Sequence, residues 1–116
     1  MLDIQKAKML CITRTERILS EYEKEYPDDY IPRKFLDAIK LYIDGKITKE
    51  EFEVMGMGYK IPIIFQADIV WAAYAAIANA AYAASSKTTE RALSTADRIT
   101  SFAERVNVKM QGKENN

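Results

Sequence analysis

Residue types that catalyse reactions or bind metal ions are sparse in this chain. Among its 116 residues there is no histidine and a single cysteine, Cys11. Histidine is the most common general base near neutral pH and the most common metal ligand. Its absence excludes Ser-His-Asp and Cys-His catalytic sets and zinc sites that contain histidine. The sequence therefore predicts a protein that is not an enzyme and that binds no metal or cofactor.

Groups of neighbouring acids are the remaining candidates for acid–base chemistry or metal binding. They are Asp28-Asp29, Glu50-Glu51 and the alternating Glu21, Glu23 and Glu25. Hydrolysis by carboxylates requires two acids held at a fixed separation across a substrate, and nothing in the spacing brings these groups into one cleft. Turn and capping chemistry explains the aspartates, and the first turn of a helix explains the pair of glutamates.

Two other motifs also have simpler structural explanations. Gly56-Met57-Gly58 lacks the longer glycine pattern and the Lys-Ser/Thr end of a phosphate-binding loop, so we interpret it as a helix break. Cys11 lies on an apolar helical stripe, whereas a reactive thiol requires partial exposure and a cationic neighbour. We therefore predict that Cys11 is a small buried hydrophobic residue.

Apolar residues recur at helical spacing along most of the chain, which predicts an all-α fold. We expect a compact bundle of about five helices within a single domain, residues 1–110, followed by a disordered polar tail, residues 111–116. The predicted helices are Asp3 to Glu25, Pro32 to the residue before Gly45, a short helix after Thr48, Pro62 or Ile63 to Ala84, and Thr89 to Val106.

Local signals place the boundaries of these helices. Pro27 stops the first helix, and Gly45 is the left-handed residue that follows the second. Thr48 and Glu51 form a capping box at the start of the third helix, which should direct Phe52 and Met55 inward.

The fourth predicted helix is rich in alanine, which has the highest helix propensity, and alanine on several faces places this helix at the centre of the bundle. It also carries Trp71, Tyr74 and Tyr82 on neighbouring faces, together with the polar Asn79. The aromatic rings either fill gaps left by the alanines, which we favour, or anchor a pocket or interface. Asn79 either faces solvent or has a specific buried partner.

Charge and hydropathy restrict the environment and the partners. Seventeen basic residues balance seventeen acidic residues, which argues against direct binding of duplex nucleic acid. No stretch reaches about 18 apolar residues, no signal peptide is visible, and the single cysteine is typical of a cytoplasmic protein. Arg33 and Lys34 give the second helix a cationic side that is suited to an acidic partner, although a solvated face is the simpler interpretation.

Residues 11–48 resemble a family of small bacterial immunity proteins with an immunity-protein-five-like domain, and residues 66–84 resemble it more loosely. The matching motifs are Tyr26-Pro27-Asp28-Asp29, Ile31-Pro32-Arg33-Lys34, Ala38-Ile39 and Tyr42-Ile43-Asp44-Gly45-Lys46-Ile47-Thr48. The alanine-rich helices of that family carry histidines, which this chain lacks, and Ile31 stands where the family has an arginine. The resemblance implies binding and neutralisation of a cognate toxin.

We therefore expect an interaction protein that neutralises a toxin or effector protein. The alternatives are a phage or mobile-element inhibitor of a bacterial defence system and a helical protein that sequesters a small molecule. The alanine-rich helix also allows a homo-oligomer. The candidate partner-binding residues are Asp28, Asp29, Arg33, Lys34, Trp71, Tyr74, Asn79 and Tyr82.

Overall fold

The computed structural model of the chain describes residues 3–56 and 68–110, and it confirms the predicted all-α bundle. Its five helices are α1 (Ile4–Glu25), α2 (Ile31–Ile43), α3 (Lys49–Gly56), α4 (Ile69–Ala84) and α5 (Thr89–Arg105). Within the described ranges, no helix is both long enough and apolar enough to cross a lipid bilayer.

Helix α1 begins and ends where local signals predict. The Asp3 carboxylate accepts a hydrogen bond from the backbone N–H of Lys6 at 2.8 Å, and the helix ends at Glu25, two residues before Pro27. Its buried residues form one stripe along the helix: Ala7, Cys11, Ile12, Thr15, Ile18, Leu19 and Tyr22. Thr15 is tolerated in the core because its hydroxyl donates to the carbonyl oxygen of Ala76 on α4 at 3.4 Å.

Helices α2 and α3 have the predicted caps. Gly45 has a φ of 75°, and the N–H groups of Gly45 and Lys46 donate to the carbonyl oxygens of Tyr42 and Leu41, which is a Schellman motif. Helix α2 begins one residue earlier than predicted, so Pro32 is its second residue. In the capping box, Glu51 N–H donates to the Thr48 hydroxyl at 3.1 Å, and Thr48 N–H donates to the Glu51 carboxylate at 2.9 Å.

The prediction for the buried side of α3 is half right. Phe52 is buried and its ring stacks on Tyr42 with 4.7 Å between centroids. Met55 is 47% exposed, so its predicted inward position is wrong. Among the described helices α3 packs against α2 alone, and Phe52 occupies that contact, which leaves the side of the helix that carries Met55 uncovered.

Helix α4 begins later than the predicted Pro62 or Ile63. Asp68 has an extended backbone (φ −126°, ψ 179°), and its carboxylate accepts from the N–H of Trp71 at 2.9 Å. An N-cap in this conformation interrupts a helix, so a continuous helix from residue 63 is wrong. Pro62 and most of the Gly56-Met57-Gly58 motif lie outside the described residues.

Helix α4 occupies the predicted central position, which it shares with α1. It packs against α1, α2 and α5, and α1 likewise packs against three helices. The inner faces of α4 consist mainly of alanines with little or no exposure: Ala72, Ala73, Ala76, Ala80, Ala83 and Ala84. Because alanine has a short side chain, the neighbouring helices approach α4 closely on more than one side.

The end of α5 uses an asparagine where α2 uses a glycine. Asn107 has a φ of 61°, and the N–H groups of Asn107 and Val108 donate to the carbonyl oxygens of Glu104 and Ala103. This second Schellman motif ends α5 at Arg105, one residue before the predicted Val106. It also turns the chain back toward the core, where Val108 and Met110 are buried. The predicted tail, residues 111–116, lies outside the described residues.

Enlarging a buried alanine of α4 should overpack the bundle. Ala76 and Ala80 are both fully buried. We expect Ala76→Leu or Ala80→Leu to lower the free energy of unfolding by about 1–3 kcal/mol. Ala78→Leu, at a half-buried position of the same helix, should change it by no more than about 0.5 kcal/mol. Urea unfolding measures all three variants, and equal stabilities for the three would show that α4 is not tightly packed.

Gly45 and Asn107, the two described residues with a left-handed backbone conformation, allow backbone strain to be tested without a change in packing. A Cβ atom added at Gly45 would meet no atom within 4 Å, so Gly45→Ala should lower stability by about 1 kcal/mol through the backbone alone. Asn107→Gly removes the same strain and should leave stability unchanged or slightly raised. Thermal unfolding compares the two variants, and a Gly45→Ala protein as stable as the wild type would contradict the assignment.

Candidate interaction surfaces

The turn between α1 and α2 is held from beneath by one carboxylate. Asp29 Oδ2 accepts hydrogen bonds from the hydroxyl of Tyr22 on α1 at 2.5 Å and from the hydroxyl of Tyr74 on α4 at 3.1 Å. Its other oxygen accepts from the backbone N–H of Ile31 at 3.2 Å. Two helices and the start of a third are therefore joined at one side chain, and two residues predicted to bind a partner, Asp29 and Tyr74, contact each other.

The electrostatics of this cluster fix its protonation state. Burial raises the pKa of the Asp29 carboxyl, but hydrogen bonds from Tyr22, the Ile31 N–H and Tyr74 outweigh that effect and hold it below its ordinary value. Burial, followed by the hydrogen bond to Asp29, raises the pKa of Tyr22 and of Tyr74. At neutral pH the carboxylate is therefore ionised and both phenols keep their protons, as the hydrogen bonds require.

Arg33 secures the same turn from the side of α2. Its guanidinium binds both carboxylate oxygens of Glu23 on α1, at 3.1 and 2.8 Å, and also contacts Glu16. Lys40 reaches Glu16 at 3.0 Å. The hydrogen bonds that Arg33 donates to Glu23 and to Glu16 raise the pKa of Arg33 above its ordinary range. The sequence placed Arg33 on a cationic face open to a partner, and the structure shows its charge neutralised within the chain.

The outer side of the turn is apolar and accessible. Tyr26 is 44% exposed, Tyr30 69% and Ile31 53%, and Asp28 and Lys34 are exposed beside them. We call these five residues the turn surface. The Tyr26 ring is not loose, because it stacks on Tyr22 with 5.0 Å between centroids. The sequence analysis selected Asp28 and Lys34 but missed the three apolar residues. Their position between the two predicted helices, outside the apolar stripe of either, could have revealed them.

The aromatic residues of α4 separate into two sites. Tyr74 belongs to the Asp29 cluster, which consists of Asp29, Tyr22, Tyr74 and the backbone N–H of Ile31. Trp71 instead packs edge-on against Phe102 at 5.1 Å and lies 5.7 Å beneath the guanidinium of Arg105. Tyr82 is 49% exposed, and the guanidinium of Arg91 lies 5.9 Å from the centre of its ring. Asn79 is half-buried and donates to the carbonyl oxygen of Ala75 at 2.8 Å, so its partner is its own helix.

Described residues line three surface grooves, and neither Trp71 nor Tyr74 contributes to any of these three. Grooves of about 410 and 490 Å³ adjoin at the α4–α5 turn, where both are lined by Tyr82, Thr88 and Arg91. The third, of about 380 Å³, lies beside Thr100 and Glu104. One interpretation of the sequence was that the Trp71 and Tyr74 rings line a ligand pocket. None of these three grooves is such a pocket.

Cys11 is buried, as predicted. It has no exposed surface, and its thiol lies 3.2 Å from the carbonyl oxygen of Ala92 on α5. Burial raises the pKa of the thiol to about 11, so it is protonated and a poor nucleophile at neutral pH. Across residues 3–56 and 68–110, no three acidic or cysteine side chains converge as metal ligands.

Comparison with known proteins adds no relative to these observations. No protein-family model, curated protein or solved structure matches the chain. The resemblance to immunity proteins therefore remains a prediction from the sequence motifs of residues 11–48 and, more loosely, of residues 66–84. Among the residues of those motifs, Asp28 belongs to the turn surface. Asp29 and Arg33, which follows Pro32, are side chains that hold the turn.

The Asp29 cluster should make stability depend on pH in a defined direction. The pKa of Asp29 is lower in the folded chain than the value near 3.9 of an unfolded one, so its stabilisation is complete above that value and is lost as the pH falls through the folded pKa. At pH 7 we expect Asp29→Asn to cost about 1 kcal/mol, from weakened hydrogen bonds. This deficit should shrink as the pH falls toward 3.

The neighbouring Asp28 provides the control. It is exposed, so Asp28→Asn should follow the wild-type pH profile. Urea unfolding at several pH values measures both variants. A deficit for Asp29→Asn that stays constant from pH 7 to pH 3 would show that the ionised carboxylate does not stabilise the turn.

Proposed function

We propose that this chain is a non-enzymatic protein of the immunity type, which neutralises a toxin or effector protein by covering its active surface with the turn surface. The observation that carries the proposal is the exposure of Tyr26, Tyr30 and Ile31 on a turn that is held rigid from beneath. Large apolar side chains in such a position are costly in water and are typical of binding sites.

The composition of the turn surface suits a protein partner. Tyrosine is enriched among the residues that contribute most to protein–protein binding, because its ring buries a large area and its hydroxyl tolerates water. Tyr30 and Ile31 are more than half exposed, so most of their contact area is free for a partner.

Preorganisation of the turn favours tight binding. A loop that becomes ordered only on binding loses conformational entropy at that step, and this loss weakens affinity. Here the Asp29 hydrogen bonds and the Arg33–Glu23 ion pair already fix the backbone that carries Tyr30 and Ile31.

Charges around the turn surface favour a basic partner. The nearby cations Lys24, Arg33 and Lys40 form ion pairs with Glu21, Glu16 or Glu23, so they are neutralised inside the chain. Glu25, Asp28 and Lys34 are exposed, and none of the three forms an ion pair within the described part of the chain, so the unpaired acids outnumber the unpaired cation. An apolar centre with an acidic rim complements a cationic active surface, such as one that binds nucleic acid. Such a surface favours inhibition of a toxin over direct binding of nucleic acid.

A comparative pull-down tests the proposal. The tagged wild-type chain and the variant Tyr30→Ala/Ile31→Ser are used to capture proteins from the native host, and mass spectrometry identifies the proteins retained. We expect one protein to be held by the wild type and lost by the variant, and that protein to be inhibited or rendered harmless by the wild-type chain alone. Met9→Ser, at an exposed apolar position on α1, is the matched control and should retain the partner.

The variants must first be shown to be folded, by circular dichroism and thermal unfolding. Capture that is equal for the wild type and the turn variant would remove the turn surface from the proposal. Recovery of a bound metabolite and no protein would contradict the immunity function itself and favour small-molecule sequestration.

A further inference from the structure

A second accessible surface runs along α4, apart from the turn surface. Helix α4 contains no charged residue from Ile69 to Ala84. Positions 71, 75, 78 and 82 are separated by four, three and four residues, so they share one side of the helix. They are Trp71, Ala75, Ala78 and Tyr82, all of them partly or fully accessible, and we call them the α4 stripe. An apolar stripe with a shallow alanine centre and an aromatic ring at each end is therefore open on this helix.

A row of arginines lies beside the α4 stripe. Arg91, Arg98 and Arg105 are exposed residues of α5 spaced seven apart, which is two helical turns, or about 10.5 Å. Arg91 lies over Tyr82 and Arg105 over Trp71, so the two ends of this arginine row meet the two ends of the α4 stripe. Within the described residues, none of the three guanidinium groups forms an ion pair. Three cations thus remain available for a partner.

Three acids of α5 are adjacent in sequence to the three arginines. Glu90, Asp97 and Glu104 precede the arginines by one residue, which turns them about 100° around the helix. The direction of this rotation is shown by Asp97, whose carboxylate pairs with the guanidinium of Arg14 on α1 at 3.3 Å. Asp97 therefore lies toward α1, whereas Glu90 lines the same groove as Tyr82, Arg91 and Arg98. Beside the α4 stripe the three arginines thus outnumber the one acid.

We propose that the α4 stripe and the arginine row together bind an acidic amphipathic helix of a partner protein. Its apolar residues would cover Ala75 and Ala78 between the two aromatic rings. Acidic residues seven apart along it would face Arg91, Arg98 and Arg105, since both helices have the same rise per turn. Trp, Tyr and Arg, the residue types that dominate binding energetics, are all present at this surface.

This occupant fits better than a nucleic-acid strand. An apolar alanine centre offers no hydrogen-bond donor to a phosphate backbone, whereas it suits the apolar face of a helix. The proposal does not depend on the function assigned to the turn surface, because the two surfaces share no residue.

Trp71 provides a direct readout, because it is the only tryptophan of the chain. The probes are a panel of synthetic helical peptides with glutamate at three positions seven residues apart and with different apolar residues between them. A matched panel carries lysine in place of glutamate. We expect saturable changes in Trp71 fluorescence with members of the glutamate panel only, and weaker binding at about 1 M salt than at about 0.1 M salt, because salt screens exposed charges.

Charge reversal at Arg98 distinguishes a loss of binding at this surface from a general effect on the fold. Arg98 is exposed and has no ion pair in the described chain, so Arg98→Glu should leave the melting temperature unchanged. It should weaken the best glutamate peptide roughly tenfold or more. Lysine at the central position of that peptide should restore binding to Arg98→Glu. The turn variant Tyr30→Ala/Ile31→Ser should bind the peptides as the wild type does, which separates this outcome from failure of the proposed immunity function.

Three results would overturn the inference. The first is an unchanged Trp71 signal with every peptide of the glutamate panel. The second is tighter, Arg98-dependent binding of a single-stranded oligonucleotide, which would make the surface a nucleic-acid site. The third is sedimentation of the wild-type chain as a dimer that Ala78→Leu disrupts, because a second copy would then cover the α4 stripe.

Discussion

The close approach of α1, α4 and α5 is the constraint on which the rest of the molecule depends. Thr15 and Cys11, two side chains of α1, reach backbone carbonyl oxygens of Ala76 on α4 and Ala92 on α5. Short side chains make such contacts to a neighbouring helix only where nothing larger separates the two backbones. Alanine at the facing positions satisfies that requirement, and dense packing follows from it.

The fixed position of α4 determines the structure of the turn surface through one tyrosine, Tyr74. Because α4 cannot shift against α1, the Tyr74 hydroxyl stays beside that of Tyr22, and the two donors define the site of the Asp29 carboxylate. The carboxylate in turn fixes the first backbone N–H of α2. Core packing and the shape of the turn surface are thus linked through the hydrogen bonds of three side chains. Residues that first suggest acid chemistry act here as structural anchors.

Local chemistry made much of this fold predictable, and long-range contacts account for the errors. The caps at Asp3, Thr48 and Gly45 depend on residues a few positions away, so the sequence displays them directly. Asp68 is also a local cap, but the apolar run on both sides of it concealed the break. The internal pairing of Arg33 and the contact between Tyr74 and Asp29 join residues 10 and 45 positions apart, which helical periodicity does not reveal. The turn surface was missed for a related reason, since exposure is a property of the assembled bundle.

Helix α3 has a different relation to the bundle. Its eight residues pack on α2 alone among the described helices, mainly through Phe52 against Tyr42 and Phe35. Its first turn is stabilised by its own capping box, without help from the core. A unit that one small aromatic contact joins to the other described helices is expected to open at lower free energy than helices buried on three sides. We therefore expect amide hydrogens of α3 to exchange with solvent by local unfolding, and those in the middle of α1 and α4 to exchange mainly when the whole bundle opens.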